Sequence, residues 1–316
     1  MRFLAAVIFG LMALPYAQAS EDIQDQYPGS VLYAKPVEFI PNVFSAIGAT
    51  APPTYENSGH NNNLSFVITG DGVLVVNGGA SWQLAEALHA EIKQVTDQPV
   101  RLVVNENGQG HAMLGNSYWK AVGVKIVAHE QAASAFEVHG QQSLESARRI
   151  QKEKAEKTEI VSPDEIFTDS YSVNFGNMEI QVLDLGPAHS PGDVVVWLPG
   201  PRLVISGDMA FHERLLPIFD DTDTGAWLES WDQGFEALEA TYVIPGHGHP
   251  TNMAQVRRYT KDYLVYIRGK IGAHLDAGGD LAEAYYVDQS PYAHLDTFEE
   301  LATRNAGQVF RKMEWE

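Results

Sequence analysis

The sequence predicts an α/β fold in which sheets are covered by helices, and three observations carry that expectation. Short β-rich runs recur along the chain, segments with helical spacing separate them, and Gly-containing polar loops follow several of the strands. The 316 residues are 45% hydrophobic, enough for a sizeable core in one large domain or two modest ones. No fixed-period repeat and no low-complexity linker divides the chain.

Taken in order, Arg2, the apolar run Phe3–Pro15 and Ala17-Gln18-Ala19 ahead of Ser20 read as a cleavable secretory signal over residues 1–19. The apolar run is too short for a membrane span, so the expected location is the periplasm. Residues 20–54 read as an N-terminal arm with a strand or two. Leu64–Ile68 and Val73–Val76 flank Gly70-Asp71-Gly72, a hairpin signal, and Asn77-Gly78-Gly79 ends the second strand. Trp82–Val95 carries Leu84, Leu88 and Ile92 at helical spacing. Val100–Val104 and Val122–Ala128 read as buried strands, and Glu130–Lys157 as a largely exposed helix of mixed charge. Strand patterns resume at Tyr171–Phe175, Met178–Asp184, Val194–Leu198, Leu203–Ser206 and Tyr242–Ile244, with a helix at Trp227–Leu238. From Thr251 onward the pattern is helical, notably Met253–His274 and Thr297–Met313.

Composition narrows the partners. Asp and Glu number 41 against 21 Lys and Arg, a net charge of −20. Such a surface repels phosphate backbones and anionic lipid, which leaves a small-molecule substrate or ligand as the expected partner, with no nucleic acid and no membrane. Cysteine is absent. No thiolate can serve as nucleophile or metal ligand, so any metal ligand is His, Asp, Glu or an amide.

Three loops combine glycine with His or Asp after a buried strand. They are Gly186-Pro187-Ala188-His189-Ser190-Pro191-Gly192-Asp193, Ser206-Gly207-Asp208, and Ile244-Pro245-Gly246-His247-Gly248. Glycine lets the backbone turn sharply, so the next polar side chain projects into a shared cleft. One carboxylate and two imidazoles gathered there suit a zinc-class ion. Singly, each has a bland reading: a satisfied loop histidine, or an Asp208 that caps the next segment. His212 and His249 read as surface histidines, His60 as part of an Asn-rich turn, and Trp82, Trp119 and Trp227 as core or cleft-wall residues.

The ordered set resembles the metallo-β-lactamase superfamily over roughly residues 55–250. The resemblance implies a four-layer αββα sandwich over 55–250, with residues 251–316 as a C-terminal helical extension. By position it makes His189 a ligand of a first metal, Asp208 a bridge and His247 a ligand of a second. The sequence departs at the family's H-x-H-x-D-H motif. Counting back from Leu114-Gly115-Asn116, the four ligand positions are Asn107, Gln109, His111 and Ala112, and the hairpin-end Asp is Asn77. Amide oxygens are weak toward zinc, so a single zinc ion is expected. Either His111 or His189 completes its site with Asp208 and His247.

Two functions follow from the resemblance. The first is a mononuclear metal-dependent hydrolase of an ester, thioester, lactone or lactam, in which a metal-activated water attacks and His111 and Asp208 serve catalysis. His111 is a candidate base, since imidazole titrates in the right range. The second is a catalytically inactive member acting as a periplasmic ligand- or partner-binding protein. The substrate, the oligomeric state and the work of the C-terminal helices have no signature in the chain.

Overall fold

The computed structural model describes residues 26–316 apart from Asn177, so the expected signal segment 1–19 lies outside the described residues. Among the described residues the strands form two sheets. The first has seven strands in chain order: β1 (Val37–Ile40), β2 (Val43–Ala46), β3 (Leu64–Ile68), β4 (Val73–Val76), β5 (Val100–Asn105), β6 (Lys125–His129) and β7 (Glu165–Phe167). It begins antiparallel and turns parallel at β4–β5, where α1 (Trp82–Val95) supplies the crossover that parallel pairing requires. Ser81 caps α1 by accepting from the Leu84 amide at 3.2 Å.

The second sheet has the order β12-β11-β10-β9-β8. Its strands are β8 (Ser170–Phe175), β9 (Met178–Asp184), β10 (Val194–Leu198), β11 (Leu203–Phe211) and β12 (Tyr242–His247), with β11 and β12 parallel. Val67, Leu74, Val104 and Val127 of the first sheet pack against Val182, Val196, Leu203 and Ile244 of the second. Continuous apolar runs such as Val194–Leu198 are buried on both faces for that reason.

Helices cover both outer faces. On the first sheet lie α1, α2 (Gly110–Met113), α3 (Asn116–Ala121) and α4 (Glu130–Gln151). On the second lie α5 (Thr224–Ser230), α6 (Met253–Tyr259), α7 (Lys261–Asp276), α8 (Leu281–Ala284) and α9 (Phe298–Met313). The result is the expected αββα sandwich with C-terminal helices. One apolar cluster runs from Val195 and Trp227 to Tyr263 and Phe310, so the C-terminal helices share a core with the second sheet. None of the described helices is long and apolar enough to cross a membrane.

Several elements differ from the sequence expectation, among them the helix expected over Trp227–Leu238, whose α-helical part is Thr224–Ser230. Helix α4 is not simply exposed: Ala132, Phe136, Gly140, Leu144 and Ala147 form a buried stripe, whose small residues give a weak hydrophobic signal. The segment 253–274 is two helices, broken at Thr260, whose hydroxyl bonds the Phe211 N–H at 2.9 Å and the Phe211 carbonyl at 3.2 Å. Strands β11 and β12 run on past Ser206 and Ile244, so Asp208 lies within β11 and His247 ends β12, neither of them in a loop.

Gly115 fixes how the rewritten motif meets the first hairpin. A Cβ there would stand 2.0 Å from the Gly78 carbonyl oxygen, and the Gly115 N–H donates to Gly79 at 2.7 Å. Gly115→Ala should cost about 3 kcal/mol, since overpacking against backbone leaves little room to relax. Urea unfolding followed by circular dichroism checks this, and an unchanged midpoint contradicts it. Buried His60, accepting from the Tyr33 amide at 2.8 Å, is pushed down to about 3 by burial. The unfolded chain takes up a proton near pH 6.5 that the native state refuses. Stability should therefore fall as pH drops from about 6.5 toward 3, and unfolding curves of His60→Asn should show a shallower fall.

Candidate metal centre

Asp208 lies on β11, His247 at the end of β12, His189 in the turn between β9 and β10, and His111 in the one-turn helix α2. The structure brings all four together. His247 Nε2 is 3.2 Å from Asp208 Oδ1, His189 Nδ1 is 3.4 Å from Asp208 Oδ2, and His111 Nε2 is 3.6 Å from the same oxygen. Asp208 is 1% exposed. Gly246 allows this approach, because a Cβ there would stand 2.4 Å from Asp208 Oδ1.

Glu106, absent from the sequence reading, joins the cluster. It follows β5, is buried, and lies 3.6 Å from His111 Nε2 through Oε1. Ligand atoms of Glu106, His111 and Asp208 all fall within 4.8 Å of one another. In the sequence Glu106 looks like a charge closing a buried strand. Its one available signal was the neighbouring change of the hairpin-end Asp to Asn77.

The altered motif residues have other work. Asn107 Nδ2 donates to Asp208 Oδ2 at 3.2 Å, and its Oδ1 accepts from the Gln109 amide at 3.0 Å. Gln109 Nε2 sits 3.1 Å from His189 Nδ1. Both amides thus orient the carboxylate and the imidazole. Ala112 is packed among apolar residues. Asn61 of the Asn-rich turn accepts a short hydrogen bond from His247 Nδ1 through its carbonyl. Asn63 clamps the same strand end by donating to Pro245 at 2.8 Å and Gly248 at 2.7 Å. Trp227 is buried and donates to the Met209 carbonyl at 3.1 Å, steadying β11 beside Asp208. His212 and His249 are not free surface groups. His249 Nδ1 is 2.7 Å from Glu213 Oε2, and His212 Nδ1 is 2.9 Å from the His249 carbonyl.

A divalent ion fits this donor set. His247 spends its Nδ1 proton on Asn61, so a neutral ring turns the Nε2 lone pair toward Asp208 Oδ1. Burial pushes His247 down to about 4, as it does His189, so protonation does not relieve that contact near neutral pH. A cation between the two atoms does. Buried Glu106 Oε2, His111 Nε2, His189 Nε2 and Asp208 Oδ1 have no hydrogen-bond partner, and a buried polar atom without one costs free energy. Burial raises the Asp208 carboxyl, but His247, His111 and His189 outweigh it and hold it well below the usual carboxylate range. Burial and the nearby Asp208 raise Glu106. For His111, burial lowers the pKa, and Glu106 and Asp208 overcome that to raise it.

The centre forms the floor of a cleft of about 370 Å³. Pro52 and Pro53 of the arm, Ser146 and Ile150 of α4, and Leu301 and Arg304 of α9 form its walls. Buried Arg214 reaches the floor, with Nη1 3.3 Å from His247 Nδ1, and burial lowers it to about 10.

Two layers of sheet between helices, with three His and an Asp gathered at one edge of the second sheet, define an αββα scaffold with a candidate metal centre. The metallo-β-lactamase superfamily model matches residues 111–251. Over that segment the chain is similar to that superfamily. Metallo-β-lactamase type 2 of Bacteroides fragilis is 35% identical over 89 residues, which are 27% of this chain and 36% of that protein. The linear primary-alkylsulfatase of Pseudomonas sp. (strain ATCC 19151) is 21% identical over 247 residues, 66% of this chain and 46% of that protein. The chain therefore matches less than half the length of either curated relative. Among solved structures, the metallo-β-lactamase from Pontibacter korlensis superposes with a TM-score of 0.60 at 20% identity, covering 73% of this chain and 98% of that one.

The ligand and supporting roles are separable. Asp208→Asn and His247→Ala should abolish stoichiometric metal binding. Asn107→Ser and Gln109→Ala should retain it with an affinity loss of about 10–100-fold, as for residues that orient ligands. Metal analysis after dialysis distinguishes them, and loss of the bound equivalent in Gln109→Ala contradicts the assignment.

Proposed function

We propose that the protein is a single-metal hydrolase of a small ester, thioester, lactone or lactam, exported to the periplasm. The observation that carries the reading is the 3.2 Å approach of His247 Nε2 to Asp208 Oδ1 while Nδ1 is committed to Asn61. Zinc is the ion the superfamily typically binds, and His111, Asp208 and His247 are the residues that would hold it. A bound divalent ion supplies Lewis acidity and lowers the pKa of water. The chain's own residues do the rest. Asp208, held at Oδ2 by the Asn107 amide, would present Oδ1 to the ion beside His247 Nε2. Arg214 would supply fixed positive charge at the cleft floor beside His247. The cleft volume suits a small molecule. His111 Nε2 faces Glu106 and Asp208, which favours ligation over a role as base.

One observation favours the second reading, a non-catalytic binding protein. Asn107 and Gln109 satisfy part of Asp208 and His189 without any ion. Metal content and turnover decide between the two. The hydrolase reading expects about one equivalent of metal in the purified protein, together with hydrolysis of at least one member of a panel of esters, thioesters, lactones and lactams. Both should be lost in His247→Ala. Negligible metal and no turnover after supplementation with zinc and manganese contradict it and leave the binding protein.

A further inference from the structure

Glu106 is 1% exposed, and its Oε2 has no partner. A carboxylate that deep needs a cation or a dense set of donors. Three features around it are mutually consistent. Asn77 Nδ2 donates to Glu106 Oε1 at 2.6 Å, while the Glu106 N–H donates to Asn77 Oδ1 at 3.1 Å. An Asp at position 77 would instead set two carboxylates against each other. Asn77 also holds a left-handed backbone, φ 71°, which Asn tolerates better than most residues. Gly207, immediately before Asp208, makes the space: a Cβ there would stand 1.4 Å from Glu106 Oε2. The carboxylate so placed faces His111 Nε2 at 3.6 Å, the nitrogen that Asp208 Oδ2 also faces at 3.6 Å.

We propose that Glu106 is a ligand of the single metal, a carboxylate moved to the residue before the altered motif and accommodated by the Asn77 amide and the bare Gly207. The centre is then a two-carboxylate site, with Glu106 and Asp208 joined by His111 and His247. Carboxylate oxygen suits harder ions such as Mn²⁺, whereas imidazole favours zinc. Glu106 therefore narrows the preference for zinc over manganese that an imidazole-dominated site shows.

This inference rests on the single-metal reading, and one titration separates the two. The metal-free full-length mature protein is titrated calorimetrically with Mn²⁺ and with Zn²⁺, beside E106Q and E106D. E106Q keeps an oxygen for the Asn77 amide and removes the charge. E106D keeps the charge and withdraws it by one methylene, and it decides the matter should E106Q not fold. Wild type is expected to bind one equivalent of each ion. Both variants should lose about tenfold or more in Mn²⁺ affinity, with a smaller loss for Zn²⁺. Variants that bind both ions as wild type does overturn the role of Glu106 and leave the single-metal reading standing. A wild type that binds neither ion overturns both.

Discussion

A single buried carboxylate governs this molecule. Asp208 is almost without solvent, at the point where β11 and β12 run parallel, with glycines on either side of its approach. A charge removed from water must be met by opposite charge or by donors. Three imidazoles converge on it from the β9–β10 turn, from α2 and from β12, each delivered by a different piece of backbone. Much of the surrounding polar architecture serves to keep those rings and that carboxylate where they are.

The support comes from distant parts of the chain. The Asn-rich turn before β3 belongs to the first sheet, yet Asn61 and Asn63 grip the end of β12 in the second. Thr50 bonds Asp296 at 2.5 Å, joining the N-terminal arm to the segment before α9. Thr260 interrupts a helix and braces Phe211, whose ring stacks on His247 with centroids 5.0 Å apart. The cleft is bordered by these same segments, so its walls and its floor share one set of constraints. Helices α4 and α9 bring Ser146, Ile150, Leu301 and Arg304 into the cleft walls.

Much of this was legible in the sequence. The Gly-His and Gly-Asp strand ends at His189, Asp208 and His247 pointed to one cleft, and the anchor Leu114-Gly115-Asn116 set the register that placed His111 beside them. What stayed hidden was hidden for physical reasons. Glu106 is recognisable only through its pairing with Asn77 across two parallel strands, a contact no local pattern encodes. Asn107 and Gln109 looked like poor ligands, and their true work as donors to Asp208 and His189 depends on side-chain direction. The buried face of α4 carries only two large apolar residues, Phe136 and Leu144, among Ala132, Gly140 and Ala147, on a helix whose other positions are mostly polar.

The central claim is that one ion sits between Asp208, His247, His111 and Glu106. Diffraction from crystals of the manganese-loaded protein, recorded on both sides of the metal absorption edge, addresses it directly. The account predicts one anomalous peak per molecule, bounded by Asp208 Oδ1, His247 Nε2, His111 Nε2 and the Glu106 carboxylate. Two peaks, or a peak bounded by His189 and Gln109 instead, would contradict it.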